Sequence, residues 1–145
     1  GVGLKGLIIP DLPFEEAALY QDVMRTNNVA LIDFVAPTDT KERIAQLTQM
    51  SQYFIYLVAY AGITGAGQKE DLTKIIENIR TYSNTPLFVG FGVNEKTAKE
   101  KASGVNGVIV GSAFVQILID NQLTTAQKID KISQLTRSIK ERINS

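Results

Sequence analysis

The sequence of 145 residues contains neither cysteine nor histidine. Without cysteine there is no disulfide and no thiolate metal site, and the redox compartment stays open. Without histidine the commonest general base and the commonest metal ligand are gone. A Ser-His-Asp or Cys-His mechanism is thereby excluded within this chain. Acid–base chemistry falls to Asp, Glu, Lys or Tyr, and neither a metal nor an organic cofactor is expected. Charge of one sign is also lacking: fifteen basic residues meet fifteen acidic ones. That argues against nucleic acid or an anionic membrane as the main partner. No apolar run approaches a membrane-spanning length, and the start lacks the basic region and longer apolar core of a signal peptide, so a cytoplasmic location is expected. The first residue is Gly1, not Met, and a strand follows almost at once, which reads as a processed or truncated piece of something longer.

What is present is ordinary for a soluble domain. Hydrophobic residues make up 44% and charged residues 21%, and the length suffices for one domain with a real core. Apolar runs alternate with helical patterns along the whole chain. Leu7 to Asp11 is the first run, with Pro10 at its end, where a ladder hydrogen bond can be spared. Asp11 and Pro13 open a helix with Glu15 and Glu16 in its first turn, and Ala17, Tyr20, Val23 and Met24 give it an apolar face. Val29 to Ala36 is the second strand. Pro37 ends it, Thr38, Asp39 or Thr40 caps the next helix, and Ile44 and Leu47 mark that helix's buried side. Tyr53 to Ala59 is the third strand, followed by a loop around Gly62, Gly65 and Gly67. Leu72, Ile75, Ile76 and Ile79 then repeat at i, i+3, i+4 and i+7, the cleanest helical periodicity up to that point.

Leu87 to Val93 is the fourth strand. Asn94 caps a short helix with Ala98 and Ala102 as its ridge. Val108 to Val110, β-branched and apolar, reads as a fifth strand covered on both faces. Gly111 lets the chain turn tightly and a ligand approach closely, and Ser112 is placed to cap a short apolar helix ending near Ile119. The last helix carries Ile129, Ile132, Leu135, Ile139 and Ile143 on one face. Five strand-then-helix repeats without a linker imply an α/β fold with a parallel sheet and right-handed crossovers. The sheet is either an open doubly wound one or part of a (β/α)8 barrel, which is about 250 residues when complete.

In both architectures ligands sit at the C-terminal ends of the strands. Those ends carry Asp11, Pro37, the Gly62–Gly67 loop, Gly90-Phe91-Gly92 and Gly111-Ser112. Glycines there open backbone N–H groups to an anion, and a helix N-terminus at Ser112 adds its dipole. The Gly62–Gly67 loop is not a P-loop, because Gln68 stands where Lys is required after the last glycine. It reads as a flexible connection or as a lid with Thr64 supplying a hydroxyl. Asp11 is first a helix cap. Asp33 interrupts an apolar strand, where a lone buried carboxylate is costly, so pairing with a cation or a place on an exposed edge ranks above function. Tyr56 and Phe91 read as core aromatics or, in a barrel, as walls of an apolar pocket.

Taken in series, Gly6-Leu7-Ile8-Ile9-Pro10-Asp11-Leu12-Pro13-Phe14-Glu15-Glu16, Tyr56-Leu57-Val58, Gly62-Ile63-Thr64-Gly65, Gly90-Phe91-Gly92-Val93 and Gly111-Ser112-Ala113 resemble the tryptophan synthase alpha chain family. The resemblance implies a partial (β/α)8 barrel: a single domain over residues 1–145, equivalent to the fourth to eighth units, with the three N-terminal units absent. It implies a family that cleaves indole-3-glycerol phosphate to indole and glyceraldehyde 3-phosphate and passes indole to a beta chain. By matching motif, Gly65, Gly92, Gly111 and Ser112 would hold the phosphate. Tyr56, Phe91 and Ile8 would line the indole pocket, and Thr64 would lie on the lid. The family's catalytic Glu and Asp belong to its second strand and the loop after it, so no catalytic residue is assigned here and the piece alone is expected to be inactive. Ile63 replaces the usual Val, Tyr60 stands where some members carry Arg, and Asp33 stands where the family usually has an apolar residue.

Two other readings compete. A sugar-phosphate isomerase barrel would lack the Gly-Ile-Thr-Gly loop. A non-enzymatic five-stranded α/β binding module of receiver type would need acids and a lysine at strand ends that, apart from Asp11, carry none. Unpaired strand edges in a part-barrel predict self-association.

Overall fold

Hydrophobic alternation becomes parallel strands separated by helices in the computed structural model, which describes residues 3–10, 12–59 and 72–145. Packing divides the chain into two units. The first is Gly1–Val58 with Asp71–Phe88, the second Ala59–Glu70 with Val89–Ser145.

In the first unit, β1 (Gly6–Leu7) pairs in parallel with β2 (Ala30–Leu31). A Cβ on Gly6 would meet the Ala30 carbonyl oxygen and Ile32 Cδ1, both at 3.3 Å, so glycine is what lets these strands approach. β1 is shorter than the run Leu7 to Asp11 suggests. The Leu12 N–H turns back to the Ile9 carbonyl at 3.3 Å, which bends the chain before Asp11, a residue outside the described ones. Helix α1 (Phe14–Thr26) follows, with Pro13 at its N-cap and no side-chain cap bond. Its apolar face is only partly used: Ala17 is buried, whereas Tyr20 and Val23 are exposed.

The run Val29 to Ala36 is not one strand but two. Ile32 donates to the Leu7 carbonyl at 2.9 Å, on the β1 side. The next residues form β3 (Asp33–Val35), which pairs in parallel with β4 (Ile55–Val58), Asp33 opposite Ile55 and Val35 opposite Leu57. The change of partner at Ile32 divides the run. Helix α2 (Lys41–Met50) is capped by Thr40, whose Oγ1 accepts from the Arg43 N–H. Its Ile44 and Leu47 are buried as the pattern predicts. Helix α3 (Thr73–Tyr82) buries Ile75, Ile76 and Ile79, the three isoleucines of the clean repeat. Ile44, Ile55, Leu57, Ile79, Leu87 and Val35 are almost fully enclosed. Strand β5 (Leu87–Gly90) begins beside β4 and runs on into the second unit.

In the second unit β5 is followed by helix α4 (Ala98–Lys101) and by β6 (Gly107–Ile109), the neighbour of β5. β6 is half-buried along its length, not covered on both faces. It has β5 as its one strand neighbour among the described residues, which explains the difference. Helix α5 (Ser112–Ile119) has no buried residue despite its apolar sequence. Helix α6 (Thr125–Asn144) starts with a reciprocal capping box: Thr124 accepts from the Gln127 N–H while Gln127 accepts from the Thr124 N–H. Val93, Ala98 and Ile139 form the core here, flanked by Val108, Val110, Leu135 and Ile143. Ile129, in the second turn of α6, is exposed instead of lining this core.

Candidate functional site

The second unit holds two strand ends of interest. After Gly90 the chain leaves β5 through Phe91 and Gly92, with φ of 69° and 63°. Two successive left-handed residues, one of them aromatic, cost about 1–3 kcal/mol at the non-glycine position. They end the strand at Gly90, three residues before Val93 and earlier than the apolar run implies. Phe91 is 55% exposed, so it is not a core aromatic. The turn is fixed from the next segment: Thr97 Oγ1 donates to the Gly92 carbonyl at 2.7 Å. Asn94 Oδ1 accepts from the Lys96 and Thr97 N–H groups, and the Asn94 N–H donates to Thr97 Oγ1 at 3.0 Å. The capping role read for Asn94 is therefore present, one turn ahead of α4 itself. The flanking glycines were the sequence signal for this turn; the backbone conformation of Phe91 had none.

The second strand end is Gly111-Ser112. Gly111, not Ser112, is the N-cap of α5, and no side chain caps that helix. Ser112 is already helical, which removes it from the capping position. The first N–H groups to reach the Gly111 carbonyl are those of Phe114 and Val115, at 2.9 and 3.1 Å. The Ser112 and Ala113 N–H groups precede that ladder and have no intrahelical acceptor. A Cβ on Gly111 would meet no described heavy atom within 4 Å, and its φ is −115°. Neither crowding nor a positive φ calls for glycine there.

The first unit holds Ile8 and Tyr56. Ile8 is 46% exposed. Tyr56 is buried in β4 and stacks on Phe34, ring centroids 4.9 Å apart, and burial pushes its hydroxyl pKa upward. Thr64 and Gly65, together with Tyr60 and the rest of the glycine-rich loop, lie outside the described residues.

Asp33 finds its explanation in the first unit. It lies on the same side of β3 as the enclosed Val35, toward α2, where its Oδ2 accepts from Ser51 Oγ at 2.5 Å. Burial raises its pKa and the serine bond opposes the rise. It is half-buried and held by a serine hydroxyl, where the sequence leads one to expect a cation partner or an exposed edge. In the second unit Glu95 has the converse setting. The Ser138 hydroxyl donates to it, Arg142 lies 3.5 Å away, and its pKa is held below the usual value, first by the serine bond. No helix among the described residues is long and apolar enough to cross a membrane.

Known proteins resemble this chain over nearly its whole length. A family model described as tryptophan synthase alpha chain matches residues 1–144. The chain is 55% identical over 145 residues to a tryptophan synthase alpha chain from Wolinella succinogenes, covering 99% of this chain and 57% of that protein. The backbone is similar to tryptophan synthase subunit alpha from Campylobacter jejuni, with a TM-score of 0.77 at 35% identity over 89% of this chain and 52% of that one. It is also similar to tryptophan synthase from M. tuberculosis, with a TM-score of 0.75 at 28% identity over 99% and 51%. The chain spans about half the length of the relatives it matches, and the matched part is their C-terminal part. With some five parallel βα units in the same order, the fold is a partial TIM barrel, and the chain belongs to the tryptophan synthase alpha chain family.

Proposed function

We propose that this chain carries the phosphate-holding part of a site for indole-3-glycerol phosphate, the substrate that the family cleaves to indole and glyceraldehyde 3-phosphate. The observation that carries the reading is the Gly111-Ser112 junction. Two amide donors ahead of the α5 ladder share one spot with the positive end of the helix dipole, a setting suited to a phosphate. Glycine at 111, demanded by neither packing nor φ, keeps a side chain from occupying that spot. Gly92, set by the left-handed turn, and Gly65 add to the phosphate set. Ile8, Tyr56 and Phe91 serve the indole end, and Thr64 belongs to the lid loop.

The chain is read as one domain equivalent to the last five units of the barrel. No carboxylate here stands at the family's catalytic positions, so the chain alone binds substrate without cleaving it. Full activity belongs to the complete alpha chain, in the cytoplasm, with a beta chain receiving the indole. Exposed apolar side chains on α1 (Leu19, Tyr20, Val23) and on α5 (Val115, Leu118, Ile119) support association with another polypeptide or a second copy.

Titration calorimetry with glyceraldehyde 3-phosphate and indole-3-glycerol phosphate tests the reading. Both ligands should bind, and Gly111→Val should weaken both at least about tenfold by filling the phosphate position, the loss of roughly one charge-assisted hydrogen bond. Equal affinity in the variant would overturn the phosphate assignment. Turnover of the unmodified chain near that of a complete alpha chain would overturn the inactivity, and a clean monomer in concentrated solution by light scattering would overturn self-association.

A further inference from the structure

Asp33 lines a cavity in the first unit that the substrate reading does not use. The cavity has a volume of about 190 Å³, and its walls include Met24, Arg25, Val29, Leu31, Asp33 and Met50. Met24 and Arg25 belong to the last turn of α1, and Met50 is the last residue of α2. Within the first unit it therefore lies where these helices end and β3 begins. Its volume is about six times the ~30 Å³ share of one water.

Three features give the cavity a preference in charge. Its one carboxylate is Asp33. The C-termini of two helices border it, and helix C-termini favour cations. Arg25 answers the dipole of α1 but is engaged with Asp22 at 2.8 Å, and the last turn of α2 has no basic residue. The Ser51 hydroxyl, moreover, has one proton for two acceptors, Asp33 Oδ2 at 2.5 Å and the Leu47 carbonyl at 3.0 Å. Gln21 and Gln52 complete the wall with neutral amides. Met24, Val29, Leu31 and Met50 offer apolar surface beside the carboxylate.

We propose that this cavity binds a small organic cation, a protonated primary amine with a short apolar body, whose ammonium group donates to Asp33 while its carbon chain lies against Met24, Met50 and Leu31. The ammonium adds a donor to Asp33, and Ser51 is then free to serve Leu47. Burial raises the pKa of Asp33, and an ammonium beside the carboxylate would oppose that rise.

The test is a titration of the isotopically labelled chain followed by NMR. The probes are n-butylammonium, 1-butanol and butyrate, which share a shape and differ in charge. The amine should shift the amides of Leu31, Asp33 and Ser51 saturably and bind at least about tenfold more tightly than the alcohol or the acid, the ratio expected of a charge-assisted bond. Asp33→Asn should abolish that ratio. Equal binding of the three probes, a ratio that survives in Asp33→Asn, or shifts confined to other amides would overturn the proposal. Should the variant not fold, the carboxyl-carbon titration of Asp33 in the unmodified chain decides. Its midpoint must fall on addition of the amine and stay put with the alcohol, and an unmoved midpoint overturns the proposal.

Discussion

The two units bury the same kinds of residue to different degrees. In the first, Ile44, Ile55, Leu57, Ile79 and Leu87 are nearly sealed, contributed by two helices and two strands. In the second, the core is Val93, Ala98 and Ile139 with partly exposed neighbours, and α5 buries nothing. Hydrophobicity of sequence does not explain the contrast, since Ser112–Ile119 is among the most apolar stretches of the chain. What differs is the supply of neighbours. α2 and α3 pack on each other and α2 on β3, whereas β6 has one strand neighbour among the described residues. A pair of carboxylates repeats the lesson. Asp33 and Glu95 each accept a hydroxyl hydrogen bond, from Ser51 and Ser138. Their pKa values move in opposite directions because Asp33 is half-buried and Glu95 is open to solvent beside Arg142.

The contrast in packing can be broken by paired truncations. Leu57→Ala should cost about 2–5 kcal/mol, as for enclosed leucines generally, while Leu118→Ala, at a residue 52% exposed, should stay within about 0.5 kcal/mol. Urea unfolding of both variants measures this, and equal costs would mean that α5 is covered in solution. A smaller effect is expected at the helix starts. Thr124→Ala removes the capping box of α6 and should cost about 1 kcal/mol. Ser112→Ala removes no cap from α5 and should leave thermal stability almost unchanged. If the serine variant loses as much as the threonine one, Ser112 and not Gly111 caps α5 in solution.

The smallest effect distinguishes the carboxylates by sign. Asp33 has a raised pKa when folded, so the folded chain binds more protons than the unfolded one above the ordinary value of 3.8. Its contribution therefore worsens as pH rises from 3.8 through the folded pKa and is constant beyond. Asp33→Asn keeps an acceptor for Ser51 and should raise the melting temperature near neutral pH, with the gain fading as pH falls toward 3.8. Glu95 has a lowered pKa, so its contribution is present above the ordinary 4.5 and is lost as pH falls through the folded value. Glu95→Gln should lower the melting temperature slightly near neutral pH and not below the folded pKa. Melting curves between pH 3 and 8 test both signs, and a common sign would show that burial does not separate them.

Much of the fold was legible because periodicity and local chemistry agree. Ile75, Ile76 and Ile79 announced α3, and Ile44 and Leu47 the buried side of α2. The glycines at 92 and 111 marked the ends of β5 and β6. Local sequence could not show which runs find partners. Val29 to Ala36 looks like one strand and becomes two because hydrogen bonding shifts from β1 to β4 at Ile32. Leu7 to Asp11 looks like a strand and pairs only at Leu7, joined by Gly6, because the chain turns at Leu12. Tyr20, Val23 and Ile129 keep helical spacing yet stay exposed, since spacing places a side chain on a face and says nothing of what covers it.

The alternation of strands and helices, the order of the strand ends and the absence of histidine and thiol chemistry follow from periodicity and residue type alone. Packing in three dimensions makes Gly111 the cap of α5, gives Phe91 a left-handed backbone outside the core, and brings Asp33 to Ser51 beside a cavity. Each of these depends on groups that burial and chain direction bring together, and neither is written in the spacing of neighbouring residues.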